Sequence, residues 1–142
     1  MKKMQLISFL ALFSFFTQGF IVAKMDSSKE IIGLYWSPKK DAKIEIYQIG
    51  RQYYGKFVWA AIPRKDIKNP NKALQNRDIV GLEFLTKFDY EDGVYNGGEI
   101  YDPKTGKTYS CKMSIDGNKL KVRGFIGISL LGRTEYFERI KI

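Results

Sequence analysis

Apolar and polar side chains alternate along much of this chain with a period of two. Ala42-Lys43-Ile44-Glu45-Ile46-Tyr47 does so, as do residues 107–115 and Lys119-Leu120-Lys121-Val122-Arg123. Successive side chains of a strand point to opposite faces, so each run predicts a strand with one dry and one wet side. Residues 52–60 are rich in aromatic and β-branched side chains around Gly55. Residues 77–88 set Val80, Leu82 and Phe84 on one face against Glu83 on the other. Residues 31–37, 95–101 and 133–142 complete a set of about eight strands. Turn residues punctuate them at Gly50, Glu91-Asp92-Gly93, Asp102-Pro103-Lys104-Thr105-Gly106 and Asp116-Gly117-Asn118. Asp-Gly between two alternating runs is a hairpin signal. Short strands at this spacing predict an all-β sandwich or closed barrel.

One stretch breaks the rhythm. Residues 62–76 are polar and hold Pro63 and Pro70. The spacing predicts one helical turn over 71–74, with Asn69 as its cap ahead of Pro70. The stretch is either a lid over the mouth of a barrel or a solvated connection between hairpins.

The opening residues read as an address. Met1-Lys2-Lys3 precedes an apolar run through Phe16, as in a secretory leader, with Gly19 and Ala23 as small residues where a peptidase would cut. The run is shorter than the roughly 20 apolar residues a membrane span needs. The expectation is a signal peptide over residues 1–23 and an extracytoplasmic domain, periplasmic or secreted, over 24–142. The remaining length suits one domain with one modest core.

Composition narrows the chemistry. The 142 residues contain no His and one Cys, which excludes a His general base, a Ser-His-Asp triad, a Cys-His dyad and His-containing zinc sites. One Cys cannot form an internal disulfide; Cys111, in phase with Tyr109 and Met113 on its strand, reads as a buried structural thiol. The carboxylates Asp66, Asp78, Glu83, Glu99, Asp102, Glu135 and Glu138 show no catalytic spacing. Asp89, Glu91 and Asp92 lack the rest of a calcium loop. Gly97-Gly98 leads into a strand, which argues against a dinucleotide fingerprint, and Gly124, Gly127 and Gly132 read as bends or bulges. No cofactor and no metal site are expected.

Twenty-four Lys and Arg stand against 15 Asp and Glu, a formal charge of +9. Removing the leader takes two lysines and leaves +7. The basic residues are spread among acids, with Lys119, Lys121 and Arg123 on one strand face. A solvated basic exterior with weak affinity for an anionic envelope surface is the expectation. No nucleic-acid partner is expected of an exported protein.

From Ile31 onward the chain resembles a family of small exported bacterial proteins known as domain of unknown function 2147. The likeness rests on Ile31-Ile32-Gly33-Leu34-Tyr35, on Tyr54-Gly55-Lys56-Phe57-Val58-Trp59 and on Asp66-Ile67-Lys68-Asn69-Pro70 with Ile79-Val80-Gly81-Leu82. Its strongest part is Gly98-Glu99-Ile100-Tyr101-Asp102-Pro103-Lys104-Thr105-Gly106-Lys107-Thr108-Tyr109, followed by residues 120–125 and Leu131-Gly132-Arg133-Thr134. The resemblance implies a single antiparallel up-and-down β-barrel of about eight strands, lipocalin- or calycin-like. In such barrels a Gly-x-Trp on the first strand packs against an Arg of the last and closes the base. Gly33, Tyr35 and Arg139 hold the corresponding positions, and Trp36 could supply the ring through a one-residue bulge.

An eight-stranded barrel has an interior for side chains or one small ligand. The expected function is non-enzymatic binding of a small, largely apolar ligand or lipid, with Phe57, Trp59, Leu82, Phe84, Tyr109, Met113 and Val122 as wall and Tyr101, Asp102, Arg123 or Arg133 as polar contacts. The competing expectations are a filled barrel that acts through its basic exterior, and a carboxylate-based hydrolase.

Overall fold

The computed structural model describes Gly19 and residues 25–142; apart from Gly19, the expected leader lies outside the described residues. Eight strands follow one another: β1 Gly33–Trp36, β2 Ala42–Ile49, β3 Gln52–Ala60, β4 Glu83–Glu91, β5 Val94–Asp102, β6 Lys107–Asp116, β7 Lys119–Phe125 and β8 Arg133–Arg139. Each pairs antiparallel with the next, and β8 returns to β1 through Tyr35↔Arg139 and Trp36↔Glu138, so the sheet closes. Among the described residues, every strand ladder lies between Gly33 and Arg139. The eight-stranded up-and-down barrel expected from the alternation and the resemblance is the architecture observed.

Alternation sets which side faces in. Ala42, Ile44 and Ile46 on β2, Cys111 and Met113 on β6, and Leu120 and Val122 on β7 are buried, while the residues between them face out. Ladder partners carry this inward face across the sheet: Tyr95↔Met113↔Val122 and Gly98↔Cys111↔Gly124.

The two ends differ because their connections differ. At the base, Gly50-Arg51, Asp92-Gly93 and Gly117-Asn118 turn the chain in two residues. Asp92 and Gly93 both take positive φ, as the tight hairpin demands. Residues 25–32 lie across this end: the Tyr95 hydroxyl donates to the Ser28 carbonyl at 2.8 Å, and the Tyr35 hydroxyl donates to the Ile31 carbonyl at 2.7 Å. Tyr35, Tyr53, Phe88, Tyr95, Ile46 and Leu120 fill the interior above it, none more than 1% exposed. At the opposite end the connections are 37–41, 61–82, 103–106 and 126–132, and they frame an open mouth.

Several expected boundaries are corrected. The strand expected over 77–88 begins only at Glu83, because Gly81 turns at φ +93 and the Leu82 amide bonds back to the Ile79 carbonyl. Val80 is consequently exposed, whereas Leu82 and Phe84 are buried. The short helical turn is a 3₁₀ turn over Lys72–Leu74, and its cap is Asn71, whose Oδ1 accepts from the Ala73 amide. Asn69 acts one step earlier, its Oδ1 accepting from the Asn71 amide across Pro70. The last strand stops at Arg139 rather than running to the terminus.

Candidate functional site

Below its mouth the barrel holds a cavity of about 910 Å³. Phe57, Phe84, Ile100, Tyr109, Val122 and Phe137 line its wall. Phe57 and Phe84 stack at 4.1 Å between ring centroids, 21° from parallel, above the filled base. The rim carries Lys39, Asp41, Arg64, Lys104, Arg133 and Glu135. A polar rim over an aromatic and aliphatic wall is the usual design of a small-molecule pocket.

The rim charges are partly spoken for. Arg133 pairs with Glu135 at 2.8 Å. Asp41 accepts from the Ser37 hydroxyl at 2.8 Å; that bond first, with Lys104 and Arg64 adding to it, holds its carboxyl below the usual carboxylate range. Asp102 folds back on its own turn, its Oδ1 taking the Lys104 amide and its Oδ2 the Thr105 hydroxyl. Among the described residues, Lys39, Arg64 and Lys104 are thus the cations lining the cavity rim that have no ion-pair partner within 4.0 Å.

The structure brings seven of the eleven expected pocket residues to this cavity: Phe57, Phe84, Tyr101, Asp102, Tyr109, Val122 and Arg133. Four do not belong there. Trp59 faces out, 41% exposed, because Val58 is an extra residue: Ile44 opposes Phe57 while Lys43, one step earlier, opposes Trp59. Its ring meets Trp36 edge-on at 5.9 Å, and the Lys43 ammonium lies over both indoles. Leu82 and Met113 are core residues away from the cavity lining. Arg123 shares the outer face with Lys121 and binds the β7–β8 connection: Nε to the Ser129 carbonyl at 2.6 Å, Nη2 to the Leu130 carbonyl at 3.1 Å and Nη1 to the Thr134 hydroxyl at 2.7 Å. It borders a second depression of about 440 Å³ on the outer wall, with Lys112, Lys121 and Ser129.

Tyr101 touches the rim, yet its hydroxyl is turned to the long connection, donating to Asp66 Oδ1 at 2.6 Å. Asp66 is wholly covered and also accepts from Asn69 Nδ2 at 2.8 Å and Arg77 Nε at 2.9 Å. Burial pushes this carboxyl up, but the bonds from Tyr101, Asn69 and Arg77 outweigh it and hold it below the ordinary range. Burial first, then the Asp66 carboxylate, pushes the Tyr101 phenol up to about 12. This knot pins the 61–82 connection against the barrel wall, which fixes Arg64 at the rim.

Ile100, Phe125, Leu131 and Phe137 line the cavity but were not among the expected residues. The hairpin across residues 103–106 was the signal for the first, since it sets Ile100 opposite Tyr109.

The closure residues stand where the resemblance put them, with one correction. Tyr35 is buried under Arg139, whose guanidinium lies 4.8 Å from the ring centroid. Trp36, the alternative, points outward to Trp59. Arg139 also donates to the Ile32 carbonyl at 3.0 Å and to the Glu30 carbonyl. A Cβ on Gly33 would lie 2.6 Å from Arg139 Nη1.

Comparison with known proteins agrees with this geometry. The model of a family described as "Uncharacterized protein conserved in bacteria (DUF2147)" matches residues 33–139, the span from β1 to β8. Among solved structures, the chain is similar to protein HP1028 of Helicobacter pylori, described as belonging to the lipocalin family. The two are 23% identical, with a TM-score of 0.71 over 78% of this chain and 83% of that one. No curated protein matches the sequence.

Proposed function

The chain belongs to the DUF2147 family of bacterial proteins, and from that premise and the form of its mouth we propose that it is a non-enzymatic binder of one small, largely apolar ligand. The observation that carries the reading is the cavity of about 910 Å³, walled by Phe57, Phe84, Ile100, Tyr109 and Val122 and set over a base packed solid. That volume falls in the range of small-ligand pockets, roughly 300–1,000 Å³. The lipocalin-like fold of the structural neighbour supports a binding role of this general kind.

The ligand's apolar body would rest against the Phe57–Phe84 stack. An acidic or polar head would meet Lys39, Arg64 or Lys104 at the rim. We place this work outside the cytoplasm, on the basic and then apolar character of residues 1–23.

Native mass spectrometry of protein purified from its own host tests the reading. A retained lipid or metabolite, displaced by a fluorescent fatty-acid analogue that binds one to one, is expected. An empty barrel that also leaves the analogue free in solution would end it.

A further inference from the structure

The mouth has a second property that a pocket does not need. The β7–β8 connection carries Ile126, Ile128, Leu130 and Leu131, each between 58 and 81% exposed. These side chains are held out rather than left loose. Arg123 binds the Ser129 and Leu130 carbonyls from below, and Ser129–Leu131 form a 3₁₀ turn. An ordered loop tip with four exposed aliphatic side chains is an unusual feature for a surface facing only water.

The charge of the same end selects the partner. The mouth connections 37–41, 61–82, 103–106 and 126–132 contain eight Lys and Arg against three Asp and no Glu, a net of +5. At the base, residues 25–32, 50–51, 92–93, 117–118 and 140–142 contain three basic and three acidic residues, a net of zero. The positive charge is therefore concentrated in the connections at the end where the aliphatic tip protrudes. A second copy of the same end would meet it with like charge. An anionic lipid bilayer offers both a negative surface and a hydrocarbon layer beneath it.

We propose that the mouth docks on anionic lipid membranes, with Ile126, Ile128, Leu130 and Leu131 entering the acyl boundary and the basic connections resting on the headgroups. In that pose the cavity opens directly onto the lipid. The inference goes beyond ligand binding and does not require it.

The test uses residues 25–142, which contain every ladder of the barrel and omit the apolar opening segment that would itself enter lipid. The protein is sedimented with vesicles of phosphatidylglycerol and phosphatidylethanolamine, and separately with phosphatidylcholine vesicles. At least tenfold more protein is expected on the anionic vesicles, falling steeply at 0.5 M salt. The double variant I128D/L130D, at two exposed tip residues outside the cavity lining, is expected to lose at least tenfold of this binding with an unchanged melting curve. Equal recovery on both vesicle types would overturn the proposal. So would undiminished binding by the variant, or a dimer in light scattering that the variant dissolves while vesicles bind neither protein. A variant with a blocked cavity should still sediment, which separates this proposal from the ligand reading.

Discussion

The guanidinium of Arg139 lies over the ring of Tyr35, 4.8 Å from its centroid, and the two residues face each other across the ladder that closes the barrel. That ladder has only two residue pairs, so the seam depends on side chains as much as on backbone bonds. Arg139 supplies them, stacking on Tyr35 while its fork reaches the Ile32 and Glu30 carbonyls.

Arg139→Lys keeps the charge and loses the fork. A destabilisation of about 2 kcal/mol is expected, from lost charge-assisted hydrogen bonds and a weaker cation–π contact. Gly33→Ala places a Cβ 2.6 Å from Nη1, on a residue whose φ is +153, and about 1–3 kcal/mol is expected to be lost. Urea unfolding measures both. Because each change disturbs the same contact, the double variant should lose less than the sum of the two. Full additivity would mean that Arg139 and Gly33 act separately.

Asp66 makes stability depend on pH in acid. Its carboxyl is held below the ordinary value of 3.8 in the folded protein, so the unfolded chain binds the proton more tightly. The stabilisation is complete above the unfolded value and is lost as pH falls through the folded one. Denaturation midpoints should therefore drop steeply below about pH 4. Asp66→Asn should flatten this slope and cost about 2 kcal/mol at neutral pH, as Arg77 loses its charged partner. An unchanged acid limb in the variant would assign the slope to other carboxylates.

The strands and turns were legible because the alternation is plain and the barrel wall follows it. The pocket was less so, and the reason is bulges. Val58 flips Trp59 out of the face it would share with Phe57. On β5, Tyr95 opposes Met113 and Gly98 opposes Cys111, three residues against two, so Ile100 turns in and Tyr101 out. Such an extra residue leaves no mark in the periodicity other than a loosely placed glycine. Gly97, at φ +73 between the paired residues Tyr95 and Gly98, is one; Gly98 itself is held close, since a Cβ there would meet the Phe88 ring at 2.5 Å. Arg123 is legible as an outer-face residue, because it stands in phase with Lys119 and Lys121 on β7. Nothing local in residues 62–76 announces that Asp66 would gather Tyr101, Asn69 and Arg77, because two of those partners lie 35 and 11 residues away.

Cys111 should be chemically silent in the folded protein. Its thiol is 1% exposed, and burial pushes it up to about 12, so almost no thiolate exists at pH 8. Labelling by a thiol-specific disulfide reagent should be at least a hundredfold slower in buffer than in concentrated urea. Rapid labelling in buffer would show that the β5–β6–β7 wall opens on its own.

Two insertions into the same strand separate the cavity from the core. Leu120 and Val122 both lie on the inward face of β7, 0% and 2% exposed, but Leu120 sits in the packed base and Val122 on the cavity wall. Leu120→Phe has no free volume to enter and should cost about 1–3 kcal/mol through strain. Val122→Phe can place its ring in the open space and should cost less than about 1 kcal/mol, the added apolar contact offsetting the disturbance. The same ring occupies room that a ligand would need, so the affinity for a fluorescent fatty-acid analogue should fall at least tenfold. Calorimetric melting and fluorescence titration of both variants read the two effects. Equal losses of stability would mean that the wall at Val122 is as tightly packed as the base, and undiminished affinity would move the ligand away from the mouth.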